Sequence, residues 1–137
     1  MSKTLTLSII TPQKPLLEEM PVESVSLPAL EGEMGVLPGH APMIVQLGFG
    51  SLRYQKDGKT EEFAVLGGFA EVLRTGVNVF AEGADLAEEI NEEEEKQKIK
   101  RAKESLSSKD ADIDFELAEL EIKQAIARMK VKKHHLG

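Results

Sequence analysis

Cysteine and tryptophan are absent from this 137-residue chain, and Tyr54 is its one tyrosine beside five phenylalanines. Without cysteine there is no disulfide, no thiolate catalysis and no Cys-ligated zinc. So few aromatic rings leave little surface for stacking nucleobases. A formal charge of −7 and a pI near 5.0 would repel a phosphate backbone. Nucleic acid is therefore not expected as a partner. No apolar run approaches the ~18 residues that a membrane span needs, and Met1 to Pro12 lacks the basic start and apolar core of a signal peptide. These features predict a protein of the cytosol, touching a membrane only through other proteins.

Proline also runs out. All six prolines precede Gly83, and after Gly83 the next glycine is the terminal Gly137. Before Gly83 short β-favouring runs alternate with turn residues; after it the text is Glu, Lys, Ala, Leu and Ile. The first texture reads as packed antiparallel strands and the second as helix. The boundary is expected at 83–86, giving a β domain over 1–84 and a helical part over 85–137. Leu5, Leu7 and Ile9 alternate with polar residues at period two, as in a half-buried strand. Pro12 and Pro15 are expected to end it, and Pro28 to close a second run through Val25 and Leu27. Leu52 and Tyr54 lead into Lys56-Asp57-Gly58-Lys59, where Asp-Gly supplies the positive φ of a tight hairpin turn. Phe63 and Val65 return from it, Gly67-Gly68 is expected to break the run, and Val77, Val79 and Ala81 follow the Thr75-Gly76 turn.

Beyond the boundary two helices are expected, from about Asp85 to Leu106 and from about Asp112 to Lys133. Glu92/Lys96 and Glu94/Lys98 have the favourable i,i+4 spacing. The apolar face of the first helix is thin. Asp110 or Asp112 should cap the second, with Asp114 and Glu116 at the positive end of its dipole. Its broader stripe runs through Leu117, Ala118, Leu120, Ile122, Ala125 and Met129. A thin face against a broad one, across a short turn, makes an αα-hairpin that hides little apolar area and is marginal alone. The fold class is thus α+β: an N-terminal antiparallel β-sandwich followed by a C-terminal two-helix αα-hairpin.

The densest segment, Pro28 to Pro42, holds three prolines and three glycines in fifteen residues around Glu31, Glu33, Met34 and Leu37. It reads as a structural double turn or as a rigid binding loop. His40 has no second histidine near it, so a structural role outweighs metal or catalysis. His134-His135 has no further ligand at helical spacing, and solvent exposure or disorder outweighs metal there too. Gly48-Phe-Gly-Ser-Leu-Arg53 lacks the third glycine of a dinucleotide fingerprint. No Walker loop or Ser/His/acid set stands out. Neither a catalytic residue, a metal nor a cofactor is expected. From these residues alone, a β-sandwich interaction adaptor with a helical tail and a subunit of a larger assembly are indistinguishable.

The run GEMGVLPGHAPMIVQLGFGSLR over 32–53 closely resembles the signature of the epsilon subunits of F-type ATP synthases, the counterpart of mitochondrial delta. SIITP at 8–12, GGFAEV at 67–72 and the change into a charged helical tail agree with it. The resemblance implies a flattened sandwich and a non-catalytic central-stalk rotor part that joins the gamma subunit to the ring of c subunits. By motif position, Glu31, Gly32 and Glu33 match the loop that meets the c ring, and His40, Ala41, Pro42 and Met43 the region that faces gamma. The arm of such subunits can extend to the catalytic beta and alpha subunits and inhibit ATP hydrolysis. Arg128, Lys130, Lys132 and Lys133 are the cations it would present, although they also complement the helix dipole. The implied place is the cytoplasmic face of the bacterial inner membrane, ahead of a chloroplast thylakoid.

Some relatives bind ATP through a motif resembling Ile-Asp-x-x-Arg-Ala. Here the matching stretch is Ile90-Asn91-Glu92-Glu93-Glu94-Glu95, with Asn91 for the acid and Glu94 for the phosphate-facing arginine. Four successive glutamates repel a triphosphate that an arginine would attract. Calorimetry on the isolated chain should therefore detect weak ATP binding or none. A micromolar dissociation constant would contradict this reading.

Overall fold

The computed structural model describes residues 4–108 and 114–136. Its strands are β1 (Leu5–Ile10), β2 (Pro15–Val22), β3 (Ser24–Ala29), β4 (Gly32–Val36), β5 (Met43–Lys56), β6 (Lys59–Val72), β7 (Gly76–Ala81) and β8 (Ala84–Leu86). A 3-10 turn at Ala87–Glu89 then leads to the helices α1 (Glu92–Ser107) and α2 (Phe115–Leu136). The strands pair in the order β2-β1-β7-β6-β5-β3-β4, with β8 also on β6. This ribbon curls into a sandwich. One core cluster contains Leu5, Leu7 and Ile9 of β1 together with Val25 and Leu27 of β3, although three strands separate them in the order. Lys56 of β5 likewise reaches Met20 of β2, with Nζ 3.6 Å from Sδ.

The antiparallel expectation holds with one exception: β1 runs parallel to β7, with Thr6 opposite Gly76 and Ile10 opposite Phe80. No tight turn connects these two strands, so nothing local dictates their direction. Two prolines also act differently from expectation. Pro15 opens β2, an edge strand whose outer side needs no amide donors. Pro28 lies inside β3 rather than closing it. It pairs with Glu33 of β4 and falls in the stretch where the β3–β5 register shifts, between Ser26 opposite Arg53 and Ala29 opposite Leu47. The missing N–H is accommodated by that irregularity. The expected double turn between Pro28 and Pro42 consequently has a strand, β4, between its two bends.

β5 and β6 form a hairpin whose two strands have 14 residues each, turning at Asp57 (φ 52°) and Gly58 (φ 76°). Positive φ at both central residues is the geometry of a type I′ turn. Gly67-Gly68 does not break β6. Gly68 stays paired with Leu47 and the same register resumes at Leu66 opposite Phe49, while Gly67 and Gly68 take φ of 80° and 111° and β6 passes its pairing from β7 to β8 there. A side chain at Gly68 would place Cβ 2.1 Å from the Phe80 carbonyl oxygen and 2.9 Å from Ala81 Cα.

The chain enters the helices later than expected. Ala84–Leu86 remains a strand, Ala87 and Ile90 are buried against Ala64 and Val131, and α1 starts only after Asn91. The Asn91 side chain accepts a hydrogen bond from the Glu94 amide at 3.1 Å, an N-cap. On α1, Lys98 pairs with Glu95 at 3.1 Å, spacing i,i+3, in place of the expected Glu94. Asp110 and Asp112 lie outside the described residues; Asp114 accepts from the Leu117 amide at 3.0 Å. The stripe of α2 is narrower than the sequence suggests. Ala118, Ala125 and Val131 are buried, whereas Leu117 and Leu120 are exposed. With Ala102 of α1 also buried, small residues supply the buried apolar positions of the helical pair.

Gly68→Ala combines a clash with backbone with a φ that L-residues avoid, and should cost at least about 3 kcal/mol. Urea denaturation measures it, and a loss below about 1 kcal/mol would show that β6 can relax around the added methyl.

Candidate functional site

Two groups of residues singled out from sequence meet at one end of the sandwich. The bend between β3 and β4 carries Leu30 and Glu31, and Gly32 (φ 141°) opens β4 in a conformation that suits glycine. The first residues of β5 lie alongside, because the Leu30 amide donates to the Gln46 carbonyl at 2.9 Å. Glu31, Gly32, Glu33, Leu30, Met43 and Ile44 line a shared cleft of about 450 Å³. Leu30 and Ile44 are 61% and 65% exposed. Apolar side chains of that size left in water, grouped with a carboxylate, are a candidate contact surface. The two glutamates differ. Glu33 accepts from Ser26 Oγ and pairs with Arg53, while Glu31 projects from the bend.

His40, Ala41 and Pro42 form the approach to β5 and do not line the cleft; Met43 does. That approach is fixed from both sides. The Gly39 amide donates to the Arg74 carbonyl at 2.8 Å and the His40 amide to Leu37 at 3.2 Å. The imidazole Nδ1 of His40 lies 2.8 Å from the Ala41 carbonyl oxygen, a local hydrogen bond.

The four cations of α2 divide into two kinds. Arg128 Nε donates to Asp85 Oδ2 at 2.8 Å, and its Nη1 lies 3.6 Å from Glu95 Oε2. Lys132 Nζ donates to the carbonyls of Ala87 and Glu88 at 3.2 and 3.0 Å. Both therefore tie α2 to the connector that leaves the sheet. Lys130 and Lys133 are exposed. The terminal histidines, expected in solvent or disorder, stand on the helix and reach Glu62 of β6, with Nδ1 atoms 3.1 Å (His134) and 3.4 Å (His135) from its oxygens. Ser51 of β5 donates to the same carboxylate, whose side chain is 4% exposed. A buried carboxylate needs such donors.

Glu62, Asp85 and Glu95 were not singled out from sequence. Glu62 left a faint signal, as a charge on a strand between Leu52–Tyr54 and Phe63–Val65. Glu95 is hidden in its run of four acids, of which it is the one buried. Burial, and secondarily the Glu61 carboxylate, raise the Tyr54 phenol above the usual range. It lies in the sandwich core, away from both surfaces.

Arg128→Ala would remove the partner of Asp85 and leave buried Glu95 with Lys98. Because the Asp85 side chain is 42% exposed and keeps part of its hydration, the loss should be about 1 kcal/mol, or roughly fivefold faster hydrogen exchange across α2 with β6 unchanged. Unchanged exchange in α2 would mean that apolar packing alone holds it.

Residues 4–87 match the family described as ATP synthase, Delta/Epsilon chain, beta-sandwich domain, and residues 88–133 its long alpha-helix domain. The chain is 49% identical over 109 residues to the ATP synthase epsilon chain of Elusimicrobium minutum, covering 80% of this chain and 81% of that one. It is 42% identical to the epsilon chain of Nitratidesulfovibrio vulgaris, over 96% and 98% of the two chains. Among solved structures it resembles a chain of the Euglena gracilis mitochondrial ATP synthase OSCP/F1/c-ring assembly, with a TM-score of 0.77, 26% identity and coverage of 95% and 82%. A chain of the Tetrahymena thermophila central stalk and c-ring shares the fold, with a TM-score of 0.59, 12% identity and coverage of 93% and 96%. With both halves matched, and in that order, the chain belongs to the ATP synthase delta/epsilon family, as an epsilon-type member.

Proposed function

We propose that this chain is a non-catalytic rotor part that couples a gamma shaft to a c ring through its sandwich and restrains ATP hydrolysis through its helical arm. The observation that carries the reading is the cleft in which the β3–β4 bend and the opening of β5 lie side by side. A joint that transmits torque needs contact residues on stiff backbone, because a compliant loop would store the twist instead of passing it on. The bend supplies this with Glu31 between two fixed neighbours: the Leu30 amide is bonded to the Gln46 carbonyl, and Gly32 is paired with Ala29. Exposed apolar side chains with a few charges suit a protein interface. In this reading Glu31, Gly32 and Glu33 meet polar loops of the c ring, and His40, Ala41, Pro42 and Met43 face gamma. Of the two acids, Glu31 is the one left to make an intermolecular contact, since Glu33 is engaged with Arg53 and Ser26.

The arm fits a restraining role because its attachment is thin. Val131 is its large buried apolar residue at the connector, worth about 1.5–3 kcal/mol, and the rest is Arg128, Lys132 and the histidine contacts to Glu62. Detaching α2 would free Arg128 and Lys132 to join Lys130 and Lys133 in contacts with the catalytic beta and alpha subunits. The sandwich and arm would then act as two units, at work on the cytoplasmic face of a bacterial inner membrane and bound to it through the c ring.

The test compares full-length chain with a truncation after Ile90, which keeps β8 and the connector. Each is reconstituted with the catalytic head and its gamma subunit. Both forms should co-purify with gamma, and truncation should raise ATP hydrolysis. Equal hydrolysis rates would remove the restraining role; loss of gamma from both would sink the coupling role.

A further inference from the structure

A second groove lies on the opposite face of β5 from the core, and the rotor role does not account for it. α2 crosses above β6, where Ala64 is small enough to let Val131 approach. The outward residues of neighbouring β5 are left half covered. Phe49, Ser51 and Arg53 share that outward face at period two, and Lys123, Ile126, Ala127, Lys130 and His134 share one face of α2 at spacings of three and four. Between them is an open groove of about 440 Å³, within the range that holds a small ligand. Gly50 and Ser51 keep its floor low.

Its chemistry is uneven. Phe49 and Ile126 are each 40% exposed along the floor and wall, beside buried Val131. Lys123 and Lys130 are exposed at the rim and make no ion pair among the described residues. Among the described residues, no carboxylate lines the groove. Glu62, close to its His134 end, is buried and taken up by Ser51 and the two histidines, and Arg53 at the other lip is taken up by Glu33. In a chain of net charge −7 this is a local reversal of sign, set directly against exposed apolar surface.

The geometry points to a binding site for a small anionic amphiphile, of the class of medium- or long-chain fatty carboxylates. The alkyl chain lies along Phe49, Ile126 and Val131, and the carboxylate meets Lys123 and Lys130. Such a ligand touches β5 and α2 together, so it stabilises the arm on the sheet by mass action. Nothing in the site requires gamma, the c ring or ATP.

Titration of decanoate below its micelle concentration into the full chain should give saturable binding, with Kd on the order of 100 µM, and slower hydrogen exchange in α2. Acetate should not bind, and decanol should bind at least tenfold more weakly. Lys123→Gln with Lys130→Gln removes the charges at exposed positions and should weaken decanoate at least tenfold without changing the unfolding midpoint. Ile126→Ser should weaken decanoate and decanol alike. Absence of saturable decanoate binding, or equal affinity for decanol and decanoate, would overturn the site. So would capture of the chain by phosphatidylglycerol vesicles when free decanoate does not bind, which would assign the cations to a lipid surface.

Discussion

The long pairing of β5 with β6 is the constraint on which the other parts depend. Its two strands stay in register from Met43 opposite Val72 to Lys56 opposite Lys59. One side of this ribbon faces the core, with Val45, Leu47, Leu52 and Tyr54 of β5 against Val65, Ala70 and Val72 of β6. The other side is presented to the arm. At its open end the ribbon carries the contact cleft; in its middle it carries Glu62 and Ala64, where α2 is seated. Both surfaces are thus positioned by a single antiparallel ladder, whose register is the same on either side of Gly48 and Gly67.

The attachment of the arm shows how polar groups can specify a position without providing much stability. Arg128, Lys132, His134 and His135 each find an acceptor on the sheet or the connector. These contacts fix the rotation and register of α2, since a slip of one residue would bring none of them into range. Their net strength is limited, because what they gain is offset by the cost of desolvating the buried carboxylates of Glu62 and Glu95. The apolar contribution is also small, as Leu117 and Leu120 face outward and, among the described residues, the buried apolar positions of the helices are Ala102, Ala118, Ala125 and Val131. The outcome is a well-defined seat with shallow depth.

Legibility of the sequence followed the locality of the determinants. The Asp57-Gly58 turn and the alternation of β1 are set by neighbours along the chain, and both were evident. The αα-hairpin was too, because charge and absence of proline report helix directly. The parallel placement of β1 and the edge position of β2 are set by partners far away in sequence, and neither leaves a periodic mark. Leu86 and Ile90 look like the start of a helical face by spacing, yet tertiary packing of Ala87 and Ile90 against Ala64 holds this stretch out of the helix until Asn91 caps it. In the contact cleft, Glu31 and Met43 were found through motif resemblance. Their actual adjacency came only from the pairing of β3 with β5.

The parallel seat of β1 beside β7 has a consequence for how the molecule is made. β1 is synthesised first, but its inner neighbour is the seventh strand, so its sheet position stays vacant until nearly the whole sandwich has left the ribosome. In that interval β1 can pair only with β2, as a two-stranded ribbon with one unprotected edge, and such ribbons are marginal in water. Closure of the sandwich therefore comes as a late, long-range step. The Pro15 and Pro21 of β2 cannot donate to a foreign strand, which guards the emerging ribbon on one side while it waits for β7 on the other.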